Sequence, residues 1–290
     1  MVNSSVACSI VKVDRNYVST GGYNSWYDEE NCAVTARKAG FRAMEYLSYS
    51  RLTLHDTCGL RFFYEYVEKR EPVDEVPTYH ASFGKILHAL YEEHAVSHGE
   101  CNFDQLKARF DERFPTIVSE FASRDDAVQF YKRGVQAIWR FSRYKIDDVI
   151  ASEKEFLLDI APGIPPVKGF IDRVLEVPSN GYVVADLKTG KVFSATDKKK
   201  MRQLVLYSSA CEDLYGMSAN DGYFDFVVHG GREWVTITDE DRQQAKAWVI
   251  QKWQQILDEQ FYPRYSRNFC SQYCPFRSLC KEYQERTLAV

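Results

Sequence analysis

The sequence predicts an α/β fold, a sheet with a helical insertion, and three observations carry that reading. Apolar residues recur at helical spacing from about residue 50 to residue 146. From Glu153 onward the apolar runs shorten to strand length and are separated by turn residues. No linker, internal repeat or low-complexity tract divides the chain, so residues 50–290 are expected to form one domain. Residues 1–49 show no strong period and are set apart as an N-terminal extension.

Each element follows from a local pattern. Within the extension, Gly21-Gly22-Tyr23-Asn24-Ser25 is turn-rich. Leu52, His55, Cys58, Phe62 and Tyr66 place one helix from residue 50. A second runs over about 81–97, with Phe83, Leu87, Leu90 and Tyr91 on one side. Amphipathic segments follow at 103–114 and 125–146, the latter with Val128, Tyr131, Val135 and Ile138 in step. These make a helical part over 80–150, ahead of an α/β core over 151–240. That core opens with a strand at 153–158, stopped by Pro162-Gly163-Ile164-Pro165-Pro166. The apolar runs 167–177 and 182–187 flank Pro178-Ser179-Asn180-Gly181 and read as a β-hairpin. A helix over 197–215 carries Met201, Leu204, Ser208, Cys211 and Leu214 on one stripe. Two more strands, 223–228 and 233–237, turn at His229-Gly230-Gly231. Thr238-Asp239-Glu240-Asp241 is acidic helix-start chemistry, and that helix extends to about residue 260. The tail beyond Pro263 is cysteine-rich and expected to be loop-like.

The chain has 290 residues and enough apolar and aromatic content for a sizeable core. No apolar run approaches membrane-spanning length. The start, Met1-Val2-Asn3-Ser4-Ser5, lacks the basic and apolar regions of a secretory signal, which predicts a cytoplasmic protein. Eight cysteines in that compartment point to metal ligands or buried thiols before disulfides. The net charge of −4 argues against a generic nucleic-acid coat protein but leaves room for an enzyme whose carboxylates bind cations.

The hairpin carries the chemistry. Gly169-Phe170-Ile171-Asp172 lies on its first strand and Asp186-Leu187-Lys188-Thr189 on its second. Residues two apart on a strand share a face, so Asp186 and Lys188 point the same way. Pairing around the turn brings Asp172 opposite Asp186 or close to it. Asp186 also ends the apolar run Tyr182-Val183-Val184-Ala185, where an unpaired carboxylate is costly. Two acids and an amine converging there can hold a divalent cation against a phosphodiester, the minimum for metal-assisted hydrolysis. An Asp-x-Lys triplet also occurs on ordinary solvated strands, so the context matters.

Other candidates surround it. Lys188, Lys191, Lys198, Lys199, Lys200 and Arg202 crowd one stretch, opposed only by Asp197. They read either as a solvated loop and helix start or as a phosphate-tracking patch. His88 lies on a helix one turn after Gly84, which leaves room for another backbone. Gln203 and Tyr207, four apart, share a helix face and carry groups able to reach a phosphate or a base; a polar helix edge is the alternative. Cys270, Cys274 and Cys280 place three thiols within eleven residues, and Cys58 is the best distant fourth. Such a set can wrap a four-thiolate centre and staple the region 263–283 to the start of the domain; zinc and an iron–sulfur cluster both suit it. Cys8, Cys32, Cys101 and Cys211 lack that spacing, and Cys211 fits the buried stripe of its helix.

The order His88, Asp172, Asp186-Leu187-Lys188, Gln203-x-x-x-Tyr207 resembles the RecB-type branch of the PD-(D/E)XK nucleases. With Cys58-Gly59-Leu60-Arg61-Phe62-Phe63-Tyr64 and the C-terminal cysteines, it is similar to the iron–sulfur members, including the AddB nuclease domain, CRISPR adaptation nucleases and their phage-encoded relatives. Ile171 stands where the signature has proline, and the Cys-x3-Cys-x5-Cys spacing is one residue longer in its first gap than the usual form. The resemblance spans about residues 50–283. It implies a restriction-endonuclease-like core, a central mixed sheet flanked by helices. It implies Mg²⁺ or Mn²⁺ on His88, Asp172, Asp186 and the Leu187 carbonyl, with Lys188 activating the attacking water. Gln203 and Tyr207 are then expected to steady DNA, and Cys58, Cys270, Cys274 and Cys280 to hold a structural [4Fe–4S] cluster. The implied activity is a DNA exonuclease, acting on single-stranded or free ends in repair, recombination or CRISPR adaptation. If phage-encoded, it would work in the host cytoplasm, as a homo-oligomer or beside recombination or adaptation proteins. The rivals are a structure-selective or single-strand endonuclease, an inactive nuclease-derived DNA-binding scaffold, and a zinc-stapled regulatory protein.

Overall fold

The computed structural model describes residues 44–145, 148–178, 181–194 and 197–288. Most of the N-terminal extension, including Gly21-Gly22, Cys8 and Cys32, lies outside the described residues. The framework is one mixed sheet in the order β1-β2-β3-β4-β5. Its strands are β1 (Val149–Leu158), β2 (Val167–Val177), β3 (Gly181–Leu187), β4 (Asp221–Asp225) and β5 (Arg232–Thr236). All neighbours are antiparallel except β3 and β4, which run parallel. Parallel neighbours need a crossover, supplied here by a helix over Lys198–Tyr215. The expected hairpin is present, with Val177 opposite Gly181 and Gly181 at φ 69°, where glycine carries no steric penalty.

Helices cover both sides of the sheet. In chain order they are α1 (Tyr49–Thr57), α2 (Gly59–Phe62), α3 (Tyr79–Val96), α4 (Phe103–Arg113), α5 (Arg124–Phe141), α6 (Lys198–Tyr215), α7 (Asp239–Leu257), α8 (Arg267–Tyr273) and α9 (Lys281–Leu288). On one side Val174 and Val184 pack with Leu204 of α6 and Trp248 and Val249 of α7. On the other, Leu187 joins Phe83, Leu87 and Leu90 of α3 with Phe110, Ile138 and Phe141. Val184 and Leu187 therefore serve opposite layers, as strand alternation requires. Leu47 pairs alongside β2 by a parallel bridge to Val167, ahead of α1. Thr238 and Asp241 form the capping box that the acidic helix start foreshadows. No helix among the described residues is long and apolar enough to cross a membrane.

The structure corrects the local reading at three places. The helix at 125–146 stops at Phe141. The tail is not all loop, because α8 and α9 flank its cysteines. The helix expected from residue 50 through Tyr66 is broken at Cys58, whose backbone is extended at φ −160° and ψ 106°. The cause is tertiary: the segment after α7 lies against the break, with Leu60 N–H bonded to the Tyr262 carbonyl. A Cβ on Gly59 would meet the Gln260 carbonyl at 2.9 Å and Phe261 Cα at 3.0 Å. Gly59→Ala is therefore expected to destabilise the fold by about 1–3 kcal/mol despite better helix propensity. Denaturant melts would show it, and an unchanged midpoint would refute this close approach.

Candidate active site

The sheet register assembles a row of acids. Arg173 pairs with Ala185, so the next step sets Asp172 opposite Asp186. On the other side Ser152 pairs with Arg173 and Lys154 with Ile171, which sets Glu153 opposite Asp172. Three carboxylates thus cross three neighbouring strands. Asp172 and Asp186 are only 6% and 2% exposed. The Leu187 N–H donates to Asp172 Oδ2 at 2.6 Å, where the β2–β3 ladder ends. Glu153 sits mid-strand at φ 46°, a left-handed conformation that costs a non-glycine residue on the order of 1–2 kcal/mol.

α3 brings the histidine. Its buried Leu87, Leu90 and Tyr91 fix the helix on the sheet, and His88 then projects over the acid row. His88 Nδ1 lies 3.6 Å from Glu153 Oε1 and 3.6 Å from Asp172 Oδ2. One ligand atom from each of His88, Glu153 and Asp172 falls within 4.8 Å of the others, a spacing one divalent ion can bridge. Gly84, a turn earlier, lets Thr189 approach: a Cβ there would lie 3.4 Å from Thr189 Oγ1.

Lys188 closes a second constellation. Its Nζ lies 2.6 Å from Asp186 Oδ2 and donates to Gln203 Oε1 at 2.8 Å. Gln203 Nε2 donates to the Tyr207 hydroxyl at 2.8 Å, which in turn donates to Asp186 Oδ1 at 3.3 Å. Asp186, Lys188, Gln203 and Tyr207 form a closed ring. The two polar residues of α6, expected to reach a phosphate or a base, here orient the acid and the amine. The Lys188 N–H is held by the Asp225 carbonyl, whose own carboxylate is buried among Tyr91, Tyr144 and Arg232.

The electrostatics follow from burial. Desolvation, then the neighbouring Asp186, push the Asp172 carboxyl up to about 7. Burial alone would lower His88, but hydrogen bonding with Glu153 and the charges of Asp172, Asp186 and Glu153 hold it above its usual value. Lys188 is likewise held up against desolvation by Asp186. The site thus concentrates negative charge that a proton or a cation must offset. A raised carboxyl stabilises the metal-free fold below its unfolded value, near 4, and that stabilisation is lost as pH rises through about 7. Deprotonation is also what frees Asp172 to bind a metal. The rise in melting temperature produced by Mn²⁺ should therefore be larger at pH 8 than at pH 5.5. A shift independent of pH would remove Asp172 from the cation site.

The PD-(D/E)XK nuclease superfamily profile matches residues 46–281, spanning the acid row, Lys188 and the cysteine region. The chain belongs to the PD-(D/E)XK nuclease superfamily. Among solved structures, that of SSO0001 is similar, with a TM-score of 0.42 and 13% identity over 87% of this chain and 96% of that one. No curated protein sequence is significantly similar to it.

The remaining candidates of this PD-(D/E)XK chain fall into two groups. Cys58, Cys270, Cys274 and Cys280 line one cavity, although Cys58 lies more than two hundred residues from the others in sequence. None of the four is in a disulfide. Ser266 N–H points at Cys270 Sγ at 3.4 Å, backbone bonding from Phe276 reaches Cys274, and backbone bonding from Glu282 and Tyr283 reaches Cys280. Such donors suit sulfurs that carry negative charge, as thiolate ligands do. Burial raises Cys274 and Cys280, so a cation is needed to hold them as thiolates. Cys211 is apart, buried in α6 and pushed up to about 12.

Of the basic run, Lys191 is exposed on the loop after β3, and Lys198, Lys199 and Lys200 are exposed in the first turn of α6. Three cations there oppose the helix dipole. Tyr49 links this turn to the site, donating to the Lys199 carbonyl at 3.2 Å. Sequence reasoning missed Glu153. It read the segment as a plain strand, and an acid opposite Asp172 becomes visible only once the β1–β2 register is known.

Proposed function

We propose that the protein is a metal-dependent DNA exonuclease that hydrolyses phosphodiester bonds from single-stranded ends. One observation carries the reading: an acid row and an imidazole meet the Asp186–Lys188 pair where β3 ends beside the middle of β2. His88, Asp172, Asp186, the Leu187 carbonyl and, in addition, Glu153 would hold Mg²⁺ or Mn²⁺. The bound ion would polarise the phosphoryl oxygen and lower the pKa of water. Lys188 would orient the attacking water and stabilise developing charge. Gln203 and Tyr207 would keep the amine aimed, and Lys191, Lys198, Lys199 and Lys200 would grip phosphates farther along the strand.

The cysteine centre would be a [4Fe–4S] cluster on Cys58, Cys270, Cys274 and Cys280, tying the α1–α2 break to the tail; zinc is its chemical rival. Its place, far from the acids in sequence and supported by backbone donors, favours a structural role. Repair, recombination or CRISPR adaptation in a cytoplasm is the setting the RecB-type resemblance suggests.

End-labelled linear and covalently closed circular single strands, each with and without Mn²⁺, test the reading. Degradation of the linear strand alone, only with metal, is expected. Equal cleavage of circles would replace it with the endonuclease reading, and binding without cleavage would leave a DNA-binding scaffold.

A further inference from the structure

Phe170 is the anomaly beside the site. It precedes Asp172 by two residues on β2, yet it is 47% exposed and, among the described residues, no other ring packs on it. Its cross-strand partner, Glu155, is exposed too, so the sheet does not hide it. With about half of the phenyl ring still in water, a ligand that covers it gains roughly half of the about 1.5–3 kcal/mol of full burial.

Phe170 lies where two surface clefts meet. One is lined by His88, Glu153, Thr189 and Lys85, beside the candidate metal ligands. The other, of about 330 Å³, is lined by Tyr46, Tyr49, Phe156, Lys168, Gln203 and Tyr207, beside the candidate amine. A strand whose phosphate reached the acid row would therefore cross Phe170.

The second cleft has a buried aromatic floor: Phe156 lies flush over Gly169, where a Cβ would stand 2.6 Å from its ring, and meets Tyr207 edge-on at 5.8 Å. Both rings are buried, so the faces left to a ligand are those of Phe170 and the half-buried Tyr46. Tyr46 forms another wall, with the Arg51 guanidinium 4.1 Å over its ring and Lys168 Nζ 5.6 Å from it. Aromatic faces with cations at the rim fit unpaired nucleobases on a phosphate chain. A duplex offers such faces only at its ends, because its bases already stack on one another. An apolar protein segment would have no use for the cations.

We infer that Phe170 is a nucleobase-stacking residue that selects single-stranded DNA, seating a base between the two clefts as the neighbouring phosphate meets the acid row. This rests on the nuclease reading above. The ring is sequence-tolerant, since every base has a π-face, so it confers preference for strand type and not for base.

The test uses the full chain carrying Asp186→Asn, so that DNA stays intact, in buffer with Ca²⁺. Fluorescence anisotropy compares a thymidine 20-mer, an abasic strand of equal length and a duplex. Adding Phe170→Ala should weaken binding of the thymidine strand about tenfold and leave the abasic strand and the duplex unchanged. Phe170→Trp should restore it, and 2-aminopurine placed in the strand should lose its quenching only with Phe170→Ala. Equal loss on thymidine and abasic strands, or no loss on either, overturns the inference while the nuclease reading stands. Absence of binding to every DNA overturns both. The ring is half exposed, so the alanine variant should melt as its parent does; a lowered melt would assign Phe170 to the fold and overturn the inference.

Discussion

Asp186→Asn and Lys188→Met should each reduce DNA cleavage by about 10³-fold or more at matched metal concentration, while differing in their effect on stability. The first removes a candidate metal ligand, and the second leaves the ligand but not the ammonium beside the attacking water. The stability effects follow from burial. Asp186 is nearly inaccessible, raises its neighbour Asp172 and pairs with Lys188 at 2.6 Å, so neutralising it relieves one repulsion and removes one attraction, and the metal-free variant should melt close to its parent. Lys188→Met has no such offset. It leaves Asp186 buried with only the Tyr207 hydroxyl at 3.3 Å, which costs on the order of 1–3 kcal/mol. Melting curves in EDTA, read beside nuclease rates in Mn²⁺, separate the two. Retained activity in both variants would displace the site. An equal fall in both would show that the Asp186–Lys188 pair outweighs the Asp172–Asp186 repulsion in the metal-free fold.

The second large effect concerns the cysteines. Anaerobically purified protein should be brown and hold about four irons per chain. Cys274→Ser should bleach it and lower the melting temperature by more than any single surface substitution. Cys274 is buried in the cavity that also holds Cys58, Cys270 and Cys280, so on the proposed cluster the loss of one ligand would free both the α1–α2 break and the tail. Metal-dependent folding energy is large where ligands are distant in sequence, because the unfolded chain cannot pre-form the site. Colourless protein carrying stoichiometric zinc would assign the centre to zinc. Gly59→Ala acts on the same junction through the backbone, which lets packing and ligation be told apart.

The hairpin, the helix over 197–215 and the acidic helix start at Thr238 were legible because each is written in neighbouring residues. Val177 opposite Gly181 fixes the register, and one step beyond Arg173 opposite Ala185 brings Asp172 to Asp186. Cysteine spacing was legible for the same reason, since three of the four thiols lie within eleven residues. The superfamily match over 46–281 agrees with the family that those motifs resemble.

What depended on the tertiary structure joins segments far apart. Glu153 reaches the row through the pairing of β1 with β2 across a proline-rich connection and adopts a conformation that no strand pattern announces. Gln203 and Tyr207 share a helix face in any reading, but only the packing of α6 beneath β3 turns that face onto Lys188 and Asp186. Cys58 looked helical by period, and the segment at 260–262 overrode it. Local geometry is set by covalent sterics and hydrogen bonds within a few residues, so sequence alone determined the elements and the motif. Which distant side chains then meet is decided by burial of apolar faces, a sum over the whole core that no window of sequence contains.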